Sequence, residues 1–396
     1  MDILGNVTRL IKNLLLLIMT AVIFILISEL VVRQFYPVFS YSYPQYYFVN
    51  DEELGYDISK NAPLSSHNIA WEGLEYDIWS NDIGCFDYQF DNDVPYYFLT
   101  GDSFSWGYAA FEDKWGYLLE KNIKKRILKC AVTGFETKGQ LIKTKNILKE
   151  IPITPEKIII GYFVGNDVKD RYLYSYKSVY DGHLVRTRYI SSDKGDIKTK
   201  STEDLKKQYE NFRHLRSKMH LGEVEYFLLQ WSSIYGMYHR LLHPVIPKEP
   251  DVKVILSGSK KSITLDESLI YRVREEGWEN RAWEMHLSDI DEFVKYAKSV
   301  KSEAIFVLIP AKEQVYSFLQ KDGIDYSKPN KYLINYFSKN NIKYIDLLGE
   351  FRDKSEKHTI DTLVSGESYY YPKDAHWNKH GNALAAEIVS AYMRGN

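Results

Sequence analysis

The stretch Pro95-Tyr96-Tyr97-Phe98-Leu99-Thr100-Gly101-Asp102-Ser103-Phe104 decides the fold. An aromatic and β-branched run stops at a glycine, and an amphipathic segment of helical period follows from about Glu112. A strand that hands over to a helix in this way places the next hydroxyl at the carboxyl end of the strand, where open α/β sheets bind ligands. Ser103 is therefore the candidate nucleophile.

Working outward, strand-like and helix-like segments alternate. Arg126 to Val132 reads as strand two, ending in Thr133-Gly134, and Lys138 to Glu150 as a helix closed by Pro152 and Pro155. Lys157 to Val164 reads as strand three, ending in Gly165-Asn166-Asp167. A helix from about Glu279 to Val300, strand four at Ala304 to Ile309, a helix from about Lys312 and strand five at Lys343 to Leu347 continue the pattern. A terminal helix spans about Ala383 to Tyr392. Near-continuous apolar strands alternating with helices predict a parallel sheet covered on both faces. This is a three-layer, flavodoxin-like α/β fold.

An insert from about residue 168 to 277 interrupts the alternation. It carries two helical candidates, Glu203 to Met219 and Glu223 to Leu242, the second with Tyr226, Phe227, Trp231, Tyr235 and Tyr238 near helical spacing. Two readings stand: helices packed on the core, or a lid, since the insert leaves from the end of strand three. Ahead of the alternation, Gln34 to Asp93 reads as a stalk followed by short strands and turns. The expected organisation is residues 1–33, 34–94 and 95–396.

Leu14 to Val32 holds one charge, Glu29. At 1.5 Å per residue these nineteen residues reach roughly 28 Å, enough to span a hydrocarbon core. Arg9 and Lys12 precede it, which predicts a cytoplasmic N-terminus and an extracytoplasmic body. The segment has no small-residue cleavage site, so an uncleaved anchor through residues 14–32 is expected over a signal peptide.

Composition excludes several classes. Basic residues number 51 and acidic residues 53, with no basic face interleaved with aromatics, so nucleic acid is not an expected partner. No His-Glu-x-x-His or paired-cysteine spacing and no Gly-rich phosphate loop occurs, so neither metal nor cofactor is expected. The two cysteines, Cys85 and Cys130, make no disulfide framework. Cys130 lies in an apolar run, where a buried free thiol is the ordinary state; a single disulfide is open outside the cytoplasm.

A serine nucleophile needs a base, and the base needs an orienting group. Of the ten histidines, His376 alone sits in a tight polar constellation, Lys373-Asp374-Ala375-His376-Trp377-Asn378. Asp374 can hold its tautomer and stabilise the imidazolium. The oxyanion formed by attack needs fixed donors. The N–H groups of Ser103 and Gly134 and the Asn166 amide lie just past the ends of strands one, two and three. Asp102 reads as a structural residue of the turn.

Together these blocks resemble the SGNH (GDSL-type) hydrolases. Gly101-Asp102-Ser103 looks like the first block, Gly134 the second, Gly165-Asn166-Asp167 the third and Asp374-Ala375-His376 the last. The resemblance runs from about Tyr96 to the C-terminus without the insert. It implies Ser103 as nucleophile, Gly134 and Asn166 as oxyanion donors, and Asp374 and His376 as the rest of a triad. The family commonly spaces aspartate and histidine by three residues; here the spacing is two. That Asp-x-His-Trp-Asn form is similar to the alginate-acetylation proteins and related polysaccharide O-acetyltransferases, as is Pro310-Ala311-Lys312-Glu313-Gln314, which receives no role. The implied function is an esterase or O-acetyltransferase acting on a surface glycan, with a membrane acyl-donor partner if transfer occurs. A lipid or small-ester hydrolase and a non-catalytic glycan-binding protein are the alternatives.

Overall fold

In the computed structural model, residues 3–33, 43–205, 224, 228, 232–242 and 277–395 are described, apart from 70, 71, 73, 92, 93, 181, 192–194, 202, 225–227, 321, 322 and 373. The helical candidate at 203–219 lies almost wholly outside them, as do Tyr226, Phe227 and Trp231.

Five strands form one parallel sheet: β1 (Tyr97–Gly101), β2 (Ile127–Lys129), β3 (Lys157–Phe163), β4 (Glu303–Ile309) and β5 (Lys343–Asp346). Their spatial order is β5-β4-β3-β1-β2. The chain leaves β1 for β2 on one side and returns past β1 to β3. The order therefore reverses at β1 and β3, the switch point at which such sheets bind ligands.

Successive side chains of a strand point to opposite faces. Ile158, Ile160 and Tyr162 of β3, with Phe306 and Leu308 of β4, enter one core beneath α4 (Thr137–Glu150), α7 (Trp278–Ser299) and α9 (Lys328–Lys339). Ile159 and Phe163, with Ile305, Val307 and Ile309, enter the other. That second core is covered by α3 (Trp115–Ile123), α10 (Leu348–Lys354) and α12 (Lys379–Gly395). Between these elements lie α2 (Ser103–Trp106), α5 (Asp167–Leu173), α8 (Lys312–Val315) and α11 (Ile360–Ser365). Both faces of the sheet are thus dry, which is why its strands carry so few polar residues.

Three boundaries differ from expectation. Strand two is regular only to Lys129, although Cys130 and Val132 still donate to the Leu99 and Gly101 carbonyls alongside β1. The helix at Lys312 is a single turn. The terminal helix starts at Lys379, because the Asn378 side chain accepts from the His380 and Gly381 N–H groups and caps it there.

Residues 43–91 form short antiparallel hairpins that build a third core with Trp106, Phe111, Val132 and Phe135. Among the links that fasten this segment to the sheet and its helices are an ion pair and a disulfide. The buried Lys143 of α4 bonds both oxygens of Asp57 at 2.7 Å and the Gly84 carbonyl at 3.0 Å. Cys85 and Cys130 form a disulfide, which replaces the free-thiol reading. The turn chemistry of Asn81 explains how Cys85 reaches β2, since Asn81 Oδ1 accepts the Cys85 N–H at 2.9 Å.

Among the described residues one helix, α1 (Ile3–Arg33), carries a segment, Arg9–Arg33, long and apolar enough to cross a membrane. Glu29 does not merely interrupt it. Its carboxylate accepts from the Ser232 hydroxyl at 2.9 Å and from the N–H groups of Ser233 and Ile234, capping α6 (Ser233–Leu242). The helix that carries Tyr235 and Tyr238 therefore packs along α1.

Replacing both cysteines by alanine frees a loop of 45 residues. The expected loss is up to about 4 kcal/mol from unfolded-chain entropy. Thermal unfolding of the double variant against the parent checks it.

Candidate active site

The site is assembled where β1 and β3 end. Gly101 closes β1 at φ +151°, and a Cβ there would stand 2.8 Å from the Gly161 carbonyl of β3 and overlap Ser105. Only glycine permits this approach. The chain then turns at Asp102, whose Oδ1 accepts the Phe104 N–H at 2.9 Å and caps α2. Ser103 is the first residue of that helix, so its own N–H has no intrahelical partner.

His376 arrives from the far end of the chain. Its Nε2 lies 2.7 Å from Ser103 Oγ. Its Nδ1 bonds Asp374 Oδ1, and the same oxygen accepts the His376 backbone N–H at 3.0 Å. This is an Asx-turn, in which an aspartate bonds the backbone two residues on. The turn explains how a two-residue spacing brings carboxylate and imidazole together. With the Nδ1 proton directed at Asp374, Nε2 is left to accept the serine proton.

Three groups that received no role from the sequence hold this arrangement. Tyr108 stacks on the imidazole, ring centroids 3.9 Å apart at 11°. Tyr371 donates its hydroxyl to the Tyr108 carbonyl at 2.7 Å. Lys312 is buried and donates to the carbonyls of Tyr371, Pro372 and Asp374, each at 3.1 Å. The stretch left without a role, Pro310 to Gln314, is therefore the support of the 371–376 loop. Pro310 adds its carbonyl, which accepts from the Tyr370 hydroxyl at 2.6 Å. The resemblance marked the stretch, but nothing local to Lys312 indicates carbonyls some sixty residues away.

Of the expected oxyanion donors, Gly134 turns at φ +80° beyond β2. Asn166 precedes α5 without capping it, and its Oδ1 is buried with no partner among the described residues. Buried acids surround the nucleophile. Burial pushes the Asp102 carboxyl up to about 7, with the Phe104 N–H bond and nearby His376 pulling the other way. Burial, then the Asp102 charge, raises Asp167 well above the carboxylate range. Among the described residues no group of three or more His, Cys, Asp or Glu could hold a metal ion.

No family model and no curated protein matches the chain. Among solved structures it is similar to a member of the lipolytic G-D-S-L family from Veillonella parvula, with 13% identity and TM-score 0.35, over 76% of this chain and 100% of that one. It is also similar to a catalytic mutant of an acetylxylan esterase from Geobacillus stearothermophilus, with 9% identity and TM-score 0.35, over 76% and 94%. A psychrotrophic esterase from Pseudoalteromonas shows 11% identity and TM-score 0.32, over 76% and 98%. These are distant likenesses.

Two outcomes are expected. Lys312→Met orphans three carbonyls at about 1–3 kcal/mol each; it should lower the melting temperature and slow fluorophosphonate labelling of Ser103, with Lys312→Arg restoring part of both. The folded-state value of Asp102 lies above the unfolded value near 4, so the folded chain binds more protons between about pH 4 and about 7. Stability from this group is lost as pH rises across that window. Asp102→Asn, which keeps an acceptor for the cap, should flatten that fall in denaturant midpoints.

Proposed function

We propose that the chain is a membrane-anchored, extracytoplasmic serine enzyme of the SGNH type that removes or transfers an acyl group, most simply acetyl, on a cell-surface glycan. One observation carries the reading: the continuous chain from Ser103 Oγ through His376 to Asp374. In the first step Ser103 Oγ bonds the ester carbonyl carbon and its proton passes to His376 Nε2. The carbonyl electron pair moves to oxygen, where the N–H groups of Ser103 and Gly134 and the Asn166 amide are the donors. Collapse expels the sugar alkoxide, which takes the proton from the imidazolium. Water or another sugar hydroxyl then accepts the acyl group from Ser103, so hydrolysis and transfer share these residues.

The location rests on Arg9 and Lys12 ahead of the apolar helix. A disulfide between Cys85 and Cys130 supports the same side, since such bonds persist in oxidising compartments. With no acyl-CoA pool there, transfer would need a donor delivered by a membrane partner. The packing of α6 on α1, with Leu241 and Leu242 exposed, favours a second reading as a lipid-ester hydrolase.

Mass spectrometry after fluorophosphonate treatment of the full chain should find the adduct on Ser103, and His376→Ala should abolish it. Incubation with an activated acetyl ester and a glycan acceptor then separates the routes: acetylated glycan means transfer, free acetate alone means hydrolysis. A rate that climbs with acyl-chain length favours the lipid reading. Unlabelled Ser103, with Ser103→Ala matching the parent in every activity, would leave a binding protein.

A further inference from the structure

The acyl-transfer reading leaves one cation beside the site unused. Lys177 begins the first hairpin of the insert, in which Lys177–Tyr180 pairs with His183–Arg186. The hairpin stands on the N-terminal segment, where a Cβ on Gly55 would lie 2.6 Å from the Lys177 carbonyl. From there the Lys177 side chain reaches to Gly134. A Cβ on Gly134 would overlap the Lys177 ammonium and stand 3.0 Å from the Tyr56 hydroxyl. The absence of a side chain at Gly134 is thus what admits the ammonium.

Among the described residues that ammonium makes no hydrogen bond and no carboxylate lies within ion-pair distance; its contacts are the faces of Tyr176 and Tyr56. The neighbouring hydroxyl hydrogens are committed elsewhere, that of Tyr56 to the Thr133 carbonyl at 2.6 Å and that of Tyr176 to Asp170 at 2.9 Å. The ammonium is half-buried and lies over the rings of Tyr176 and Tyr56, at 5.1 and 6.0 Å from their centroids, which holds the cation beside Gly134 without neutralising it.

Resting on the acyl-transfer reading, we propose that Lys177 is a catalytic residue of the oxyanion pocket, delivered by the insert, whose ammonium stands beside the oxygen bound by the Gly134 N–H and stabilises its developing negative charge. Lys177 stays protonated throughout. The only proton that moves in the step is that of Ser103, to His376, while the carbonyl electron pair moves to oxygen. The insert is then part of the active site and not only a cover for it, and the substrate is an ester whose carbonyl oxygen enters between Gly134 and Lys177.

The charged and titratable groups that face Lys177 are Asp170 of α5, Asp102 of the β1–α2 turn, Arg186 of the opposite strand, and Tyr56 and Tyr176. Burial, the largest influence, lowers the ammonium to about 8; Asp170 and Asp102 hold it up and Arg186 presses it down. Activity that needs this charge falls as pH rises through about 8. An arginine in its place stays charged.

The test uses the full chain in detergent with p-nitrophenyl acetate as the probe. Lys177→Met should lower kcat about tenfold or more, as loss of an oxyanion donor does, with KM within about threefold of the parent. The fall in kcat through pH 8 should disappear in Lys177→Met and move to higher pH in Lys177→Arg. A Lys177→Met enzyme with parental kcat overturns the proposal. So does a fall through pH 8 that stays in place in Lys177→Arg, which decides the matter if the methionine variant does not fold. A parent no more active than Ser103→Ala refutes the acyl-transfer reading itself, and this inference with it.

Discussion

The close approach of β1 and β3 is the constraint on which the rest of the site depends. Gly101 and Gly161 face each other without side chains, and Ser105 packs into the space that two Cβ atoms would fill. Only in that geometry can the chain turn at Asp102 and start a helix with Ser103 at the switch point of the sheet. His376 is then brought to this fixed place from beyond β5, while Gly134 and Asn166 lie just past the ends of β2 and β3.

Electrostatics at this place are unusual in the number of buried acids. Asp102 and Asp167 are both raised by burial and repel each other when charged. Glu136, also buried, is pushed up to about 7. An environment so rich in potential negative charge opposes an oxyanion, and the cationic groups nearby offset it. Lys177 lies on the Gly134 side. Lys312 lies on the other, spending its protons on three backbone carbonyls, so that the loop bearing Asp374 is held by a charge that the site itself does not see as free.

Much of the fold was legible because burial on both faces leaves a strand little choice of residue. Lys157 to Phe163 and Glu303 to Ile309 announce themselves as apolar runs, and their ends locate Asn166 and Ala311. Boundaries were less legible where side chains settle them. Asn378 starts the last helix at Lys379, four residues ahead of its apolar period, and β2 loses regularity just before Cys130, which meets Cys85. The disulfide could not be read from two isolated cysteines, since a sequence separation of 45 leaves their distance in space open.

The candidate site divides along the same line. Sequence alone determined the residue types and their order: a serine after a strand-ending glycine, an asparagine after the third strand, an aspartate two before a histidine. Those depend on local chemistry, on turn, cap and period, which neighbours in the chain settle between themselves. Tertiary structure decided what lies tens to hundreds of residues apart in the chain and a few ångströms apart in space. It stacked Tyr108 on His376, bound Lys312 to the 371–374 loop, set Glu29 at the start of α6 and brought Lys177 to Gly134. Such contacts are fixed by the packing of whole layers, and no local pattern encodes them. At Ser103, the serine that ends the opening stretch, the two kinds of information meet.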